Sequence, residues 1–416
     1  MKAANTPPTP IIDNLETIGN PYKQGNFSAR EFLPLNISLH NADRDLEYIL
    51  KFLFQYNGST ATFNAYRREL ERIMQWSWKI EGKPVMTLKR EDIEAFAQFC
   101  IKPPIAWIGT KNVARFKTVK AERKPNPDWR PFVASQKGTN ESKTLQSKDY
   151  RCSQTAIKAM FTTLSSFFDY ILQEGLTNAN PVSMIRQKSK FIQKEQNASP
   201  VRRISNLQWE YLIETAEMMA NSNPAQHERT LFIINCLFAM YLRISELVAD
   251  ERSTPKMGDF QKDQDGNWWF HVTGKGNKNR KITVCDEMID SLKRYRKSLS
   301  LPSMPAKGEA TVLVSKITGN GPISSTRHIR RIVQSCFDSA YERMAIDGLE
   351  EDAADLRSAT VHWLRHTGIS EDVKSRPREH VRDDAGHASM ATTDRYIDSD
   401  LRERHLSGKR KKLKEL

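Results

Sequence analysis

The chain has 416 residues, enough for two or three domains, and its 64 Lys and Arg against 50 Asp and Glu leave a formal charge of +14. Hydrophobic residues at 38% and aromatics at 9% allow packed cores and exclude wholesale disorder, while the charge points to a polyanionic partner, nucleic acid first. The longest apolar run, Leu231 to Leu242, is broken at Asn235 and too short to span a bilayer, and the start, MKAANTPPTP, lacks the apolar segment of a secretory signal.

Residues 1–41 are rich in Pro and Asn and read as a flexible extension. Helical spacing then begins. Leu46, Ile49, Leu50 and Leu53 share one face, and Ser59 or Thr60 caps a second helix carrying Phe63, Tyr66, Leu70, Ile73 and Met74. Gly82 and Pro84 stop that helix, and Thr87 opens a third with Ile93, Phe96 and Phe99. The stretch 101–147 loses this period and reads as an insertion. From Lys111 to Arg151 it holds eleven Lys or Arg against four Asp or Glu. Trp107, Phe116, Trp129 and Phe132 interleave with that charge, a pattern that suits contact with DNA as well as a solvated face. A helix over Ser153–Glu174 follows, closed by Gly175 and Asn180-Pro181. Residues 42–183 thus form a small helical domain.

Residues 184–204 read as a basic linker, with six Lys or Arg from Arg186 to Arg203 against one Glu; Arg202 and Arg203 are candidate DNA contacts. A second domain spans 205–400. It opens with helices over Asn206–Ala220 and Thr230–Val248. Trp268–Val272 and Lys281–Val284 are strand-like and flank GKGNKNR, a β-hairpin with a basic tip. Helices are expected at Asp286–Ser298, Ser324–Ala345, Ala359–Ile369 and Thr392–Asp398. The tail 401–416 carries seven Lys or Arg and two Glu. Five cysteines, at 100, 152, 236, 285 and 336, form no CxxC pair. Their odd, scattered placement predicts reduced thiols in a cytoplasmic protein.

Four segments of the second domain carry chemistry: Leu242-Arg243-Ile244-Ser245-Glu246-Leu247, Gly274-Lys275-Gly276-Asn277-Lys278, His362-Trp363-Leu364-Arg365-His366, and Gly386-His387 with Tyr396 nine residues on. Arginine offers planar, paired donors to the nonbridging oxygens of a phosphodiester. Glu246, three residues from Arg243 and one helical turn away, is placed to hold that guanidinium. His362 and Arg365 are also three apart, and His366 is four from His362. A lysine between glycines at a hairpin tip can reach into a DNA groove.

In this order the residues resemble the tyrosine recombinase, or phage integrase, family: Arg243, a hairpin lysine at Lys275, the HxxR pair His362 and Arg365, a second histidine His387, and the tyrosine Tyr396. The resemblance covers about 42–100 and 148–405. It implies a mainly α fold with a small β-hairpin or sheet: a helical, SAM-like core-binding domain joined to an α+β catalytic domain, closing as a C-shaped clamp on DNA. It further implies that Tyr396 is a nucleophile forming a 3′-phosphotyrosyl bond. Arg243 and Arg365 would stabilise the phosphate, His362 and His387 would hydrogen-bond it, and Lys275 would protonate the departing 5′ oxygen. Glu246 and His366 support the site, and Lys278 and Arg280 are expected at phosphates. Four protomers would work through a Holliday junction on specific duplex sites, with accessory DNA-bending proteins as candidate partners and the basic tail packed on a neighbouring subunit. No cofactor, metal or membrane is implied. A non-catalytic DNA-binding protein on the same fold and a type IB topoisomerase-like relaxing enzyme remain as alternatives, and His380, Asp383, Asp384 and His387 are a rival metal set.

Several positions depart from the family pattern. Tyr241 stands where Gly is frequent, and Asp383-Asp384-Ala385 stands where an apolar Leu commonly precedes the Gly. Ser370–Asp384 is charged and contains Pro377, and Lys275 follows Arg243 by 32 residues, which implies extra loop before the hairpin.

Overall fold

The computed structural model describes residues 6–21, 39–134, 146–183, 185, 191, 203–251, 253–274, 279–319, 321–396 and 409. The chain divides into two compact units, Met1–Asn197 and Ala198–Leu416.

The first unit is helical. After a single turn, α1 (Leu15–Ile18), come α2 (Leu39–Phe54) and α3 (Thr60–Trp76). Ser59 caps α3 by accepting from the Thr62 amide, and the apolar spacing buries Phe63, Leu70, Ile73 and Met74. A π-helical turn over Ser77–Glu81 prolongs α3 until Gly82, in the left-handed region, ends it. Helix α4 (Arg90–Ile101) packs beside it. The core continues into α5 (Gln154–Gln173), capped by Ser153, with Phe161, Phe167 and Phe168 fully buried.

Two expectations change here. Residues 8–13, read as part of a flexible extension, are packed against α3. Ile12 is buried, the Ile11 amide donates to Glu71 at 2.8 Å, and Gln75 donates to the Thr9 carbonyl at 2.8 Å. The segment 101–134 is likewise part of the unit. Strands β1 (Ile108–Gly109) and β4 (Phe132–Val133) pair in parallel, and β2 (Phe116–Val119) and β3 (Glu122–Pro125) form a hairpin. Lys120 and Ala121 turn that hairpin with φ of 49° and 66°, a conformation in which Gly and Asn are usual. Trp107 and Phe132 are fully buried, and Phe116 and Trp129 nearly so. Their faces are covered by arginines: Arg72 lies over Phe132, Arg115 over Trp129 and Arg123 over Phe116. The aromatics interleaved with basic residues are therefore core, and the charges that cover them pair inward with Glu69, Glu71 and Asp13.

The second unit is α+β. Ser205 and Gln208 form a capping box at the start of α6 (Asn206–Ser222), and Asn223 caps α7 (Pro224–Ala239) with proline at its first position. Strands β5 (Phe260–Lys262), β6 (Trp268–Thr273) and β7 (Asn279–Thr283) make an antiparallel sheet in that order, with Phe270 opposite Ile282 and Val272 opposite Arg280. Helices α8 (Asp286–Ser298), α9 (Thr326–Ile346), α10 (Glu350–Ser358), α11 (Val361–Ser375), α12 (Arg378–Ala385) and α13 (Met390–Thr393) complete the unit. Its core joins Phe232, Ile233 and Leu237 of α7 to Val333 and Phe337 of α9 and Leu364 of α11. Gly368 lets α11 cross α7 closely: a Cβ there would lie 2.1 Å from the Phe238 carbonyl oxygen.

The boundaries differ from expectation at three places that matter for the site. Helix α7 ends at Ala239, short of the expected Val248, because Tyr241 adopts a positive φ of 49° and no helix continues through it. Helix α11 continues past Ile369 to Ser375, and Pro377 then starts α12. The last helix is the single turn α13 followed by a 3-10 turn over Asp394–Tyr396. The basic hairpin tip 275–278, most of the linker and most of the tail lie outside the described residues.

Candidate active site

The break after α7 creates the first part of the site. Arg243 is not inside an apolar helix but at the start of a 3-10 turn over Ile244–Glu246. Its backbone amide donates to Glu246 Oε2 at 2.8 Å, and its Nη1 donates to Oε1 at 3.1 Å. The expected Arg243–Glu246 support is thus present, through a capping geometry rather than a helical face. Arg243 Nη2 also donates to the Gly386 carbonyl at 3.1 Å, and a third of its side chain stays exposed.

Glu246 has a second cation. Arg280, on the inward face of β7, donates from both terminal nitrogens to the two carboxylate oxygens, each at 2.8 Å, and from Nε to the Asp384 carbonyl at 3.0 Å. Burial pushes Glu246 up, but Arg280 and then Arg243 outweigh it and hold the carboxyl below its usual range. The expectation that Arg280 reaches for phosphates changes accordingly: strand alternation turns it inward, and its head is committed to Glu246. Gly386 permits this twice over. Its φ is 63°, and a Cβ there would press on Arg280 Cδ at 2.9 Å.

Arg365 is 2% exposed on α11. It donates to the Tyr241 carbonyl, to the Ala385 carbonyl at 2.6 Å, and to His387 Nε2 at 3.3 Å. These acceptors are neutral. Burial, and then the charge of Arg243, lower its pKa to about 10. A buried cation whose hydrogen bonds among the described residues go to neutral groups, beside other cations, is poised for an anion.

His387 follows the left-handed Gly386. Its Nδ1 pairs with Thr393 Oγ1 at 2.9 Å while Nε2 faces Arg365, a network that assigns the proton to Nδ1. Burial first, and then Arg365 and Arg243, lower its pKa to about 4, so the ring is neutral at pH 7. His362 is exposed, and its pKa is also lowered, by local desolvation and then by Arg365 and Arg243. His366 joins the two. Its ring centroid lies 4.1 Å from that of His362 and 5.3 Å, edge-on, from that of Tyr396.

Tyr396 is 8% exposed and stacks on His387 with centroids 5.6 Å apart and planes at 16°. It belongs to a small apolar cluster separate from the main core, with Tyr241, Ile369, Val381 and Ala385. That cluster is how the charged segment 370–384 packs: Val381 and Ala385 face inward, and Asp384 is buried with Arg376.

The structure therefore brings Arg243, His362, Arg365, His366, His387, Tyr396 and Glu246 into one site. Lys275, Lys278 and Arg202 lie outside the described residues. Arg203 lines an acidic cleft with Glu351, Asp352, Asp355 and Glu371, which does not suit it to a phosphate. The rival metal set is taken apart by its own hydrogen bonds. His387 turns to Arg365 and Thr393, Asp383 to Arg382, and Asp384 to Arg376 and the Thr283 amide. Tyr241, Asp372, Arg376 and Thr393 are supporting residues that sequence reasoning missed. The only signal was that Tyr241 and Asp384 depart from the family pattern.

Residues 207–403 match the phage integrase family model. The tyrosine recombinase XerC of Treponema denticola is 28% identical over 250 residues, 60% of this chain and 74% of the relative. That of Neisseria meningitidis is 25% identical over 355 residues, 83% and 93% of the two chains. Among solved structures, the XerH site-specific recombinase bound to palindromic difH substrate in a post-cleavage complex superposes with a TM-score of 0.56 at 16% identity, covering 89% of this chain and 86% of that one. The Tn1549 transposon integrase in complex with a circular intermediate DNA gives 0.53 at 13% identity, covering 88% and 98%; both likenesses speak to the fold. Family match, relatives and fold point the same way: over residues 207–403 the chain is similar to the phage integrase family, and over most of its length to tyrosine recombinases, enzymes that break and rejoin DNA strands.

Proposed function

We propose that this chain is a site-specific recombinase of a mobile element, acting on duplex DNA through a covalent 3′-phosphotyrosyl intermediate and a Holliday junction. The observation that carries the reading is the gathering of two guanidinium groups, three imidazoles and one phenol, from segments 153 residues apart in sequence, at a site where one buried arginine donates to neutral carbonyls.

In this reading Tyr396 Oη attacks the scissile phosphorus, the bond to the 5′ oxygen breaks, and a phosphotyrosyl bond replaces it. Free tyrosine has a pKa of about 10, so the phenol needs cations nearby as it loses its proton. Arg243 and Arg365 take the charge that develops on the nonbridging oxygens. His387, neutral and fixed by Thr393, and His362, at the open side, are hydrogen-bond partners of the phosphate. Lys275 donates the proton to the leaving 5′ oxygen. Phosphodiester energy is retained in the new bond, so rejoining to a second 5′ hydroxyl needs no nucleotide. Four protomers assemble on two sites in the nucleoid, the basic tail bridges neighbours, and accessory DNA-bending proteins assist where sites are distant.

The test is strand exchange between two duplexes carrying the element's ends, with products separated by size and their joints sequenced. The reading expects reciprocal joints at one position and a four-way junction when the second exchange is blocked. Relaxation of supercoils by a monomer, without joints or junctions, would replace it with the topoisomerase-like reading.

A further inference from the structure

Arg365 takes its orientation from two backbone carbonyls, those of Tyr241 and Ala385. The first lies in the break after α7, the second at the end of α12, and neither is held in place by regular helix beyond it. One side chain ties both. Arg376 caps the C-terminus of α11, and its Nη1 donates to the Tyr241 hydroxyl at 3.0 Å and to Asp372 at 2.9 Å, while its Nη2 donates to Asp384 at 2.6 Å. Tyr241 also donates its hydroxyl hydrogen to Asp372. Asp384 is buried and accepts from the Thr283 amide as well, which fixes the residue just before Ala385.

The consequences differ at the two ends. Tyr241 has φ of 49°, a region that is strained for a bulky residue and persists only where surroundings enforce it. The enforcement is its ring, 1% exposed, and its anchored hydroxyl. At the other end, Asp384 lies in the Asp383-Asp384-Ala385 stretch that departs from the apolar pattern before Gly386, and Arg376 is its partner. The two departures from the family pattern thus meet on one guanidinium.

We propose that Arg376 is a positioning residue for Arg365: by clamping Tyr241 and Asp384 it fixes the two carbonyls that aim the Arg365 guanidinium. The proposal rests on the reading of Arg365 as the group that takes phosphate charge during cleavage. The Arg376 guanidinium bonds to Tyr241, Asp372 and Asp384 rather than to Arg365, and acts through the two carbonyls.

The experiment is single-turnover formation of the covalent complex on nicked target DNA, as a double-mutant cycle of Arg365→Lys and Arg376→Gln, with DNA affinity measured in parallel. Arg365→Lys is expected to slow cleavage about 100-fold. Arg376→Gln is expected to slow it 10- to 100-fold with affinity within a few-fold, and the double variant to be no slower than Arg365→Lys alone, since a misplaced donor cannot be lost twice. Rate losses that multiply, or an Arg376→Gln rate equal to wild type, overturn the proposal. An Arg365→Lys rate equal to wild type overturns instead the reading of Arg365. Should Arg376→Gln lose soluble protein, Tyr241→Phe carries the same cycle, removing only the anchored hydroxyl. A loss that does not multiply with Arg365→Lys supports the clamp, and an unchanged or multiplying rate sinks it.

Discussion

Arg243 and Arg365 differ in a way that decides what their loss should do. Arg243 is partly exposed and salt-bridged to Glu246, while Arg365 is buried among neutral acceptors. In the proposed reaction binding energy is spread over many phosphate contacts, whereas transition-state charge falls on these two groups. Arg243→Gln is therefore expected to lower single-turnover cleavage by about 10²–10³-fold with little change in DNA affinity. Rapid-quench kinetics beside a binding titration would check this, and equal losses in both would count against it. The histidines add a pH dependence. His387 and His362 have pKa values below the ordinary His value of 6.5, His387 at about 4. Between those values the unfolded chain binds more protons than the folded one, so stability rises with pH across that window and is lost as pH falls from about 6.5 toward 4. His387→Gln should flatten that part of a melting-temperature profile; an unaltered profile would show that the imidazole is not buried among these cations. At this scale the sequence was informative where spacing is local, as for His362 and Arg365 on one turn. It was silent on the Tyr241–Asp372–Arg376 ties, whose partners lie more than 130 residues apart.

Among the elements, punctuation was legible and tertiary override was not. Ser59, Ser153 and Ser205 cap the helices that follow them, and Gly175 and Pro377 mark real boundaries. The end of α7 could not be read, because the apolar run continues through Met240 to Leu242 and nothing local forbids helix there; the left-handed Tyr241 is imposed by contacts to α11 and its C-cap. The basic stretch 101–147 misled in the opposite sense. Its aromatics look like stacking platforms in one dimension, yet arginines cover their faces inside the unit. Trp129→Ala should accordingly destabilise the protein by about 3–5 kcal/mol in urea unfolding while the folded fraction keeps its DNA affinity. Affinity lost with stability intact would restore the stacking role. Gly368→Ala makes a sharper case, since the new methyl meets the Phe238 carbonyl at 2.1 Å and α11 must move away from α7. Its expected result is a large fall in melting temperature together with loss of cleavage, because Arg365 rides on that helix.

For the whole molecule, the charge of +14 is the property visible first, and it acquires locations only in part. Within 101–134 two of the eight Lys or Arg, Arg115 and Arg123, are spent inside the unit on Glu71 and Asp13, and Arg280 and Arg203 face carboxylates. DNA affinity should fall steeply with salt, the logarithm of the binding constant dropping by about 0.9 per phosphate neutralised for each tenfold rise in salt. Removing residues 401–416, with their seven Lys or Arg, should make that slope shallower, whereas a slope unchanged by the truncation would mean the tail meets protein alone. The order of Arg243, Lys275, His362, Arg365, His387 and Tyr396 made the family resemblance legible without any fold, because each residue type suits one need of the proposed phosphoryl transfer. What the order could not supply is how each is held.

The central claim is that Tyr396 is the nucleophile. Its most direct test is to incubate the protein with nicked duplex target, denature, digest, and identify by mass spectrometry the peptide that carries the nucleotide. The expected result is a denaturant-resistant adduct on Tyr396 at the 3′ phosphate, absent from Tyr396→Phe, which still binds DNA. An adduct on another residue, or one that survives in Tyr396→Phe, would contradict it.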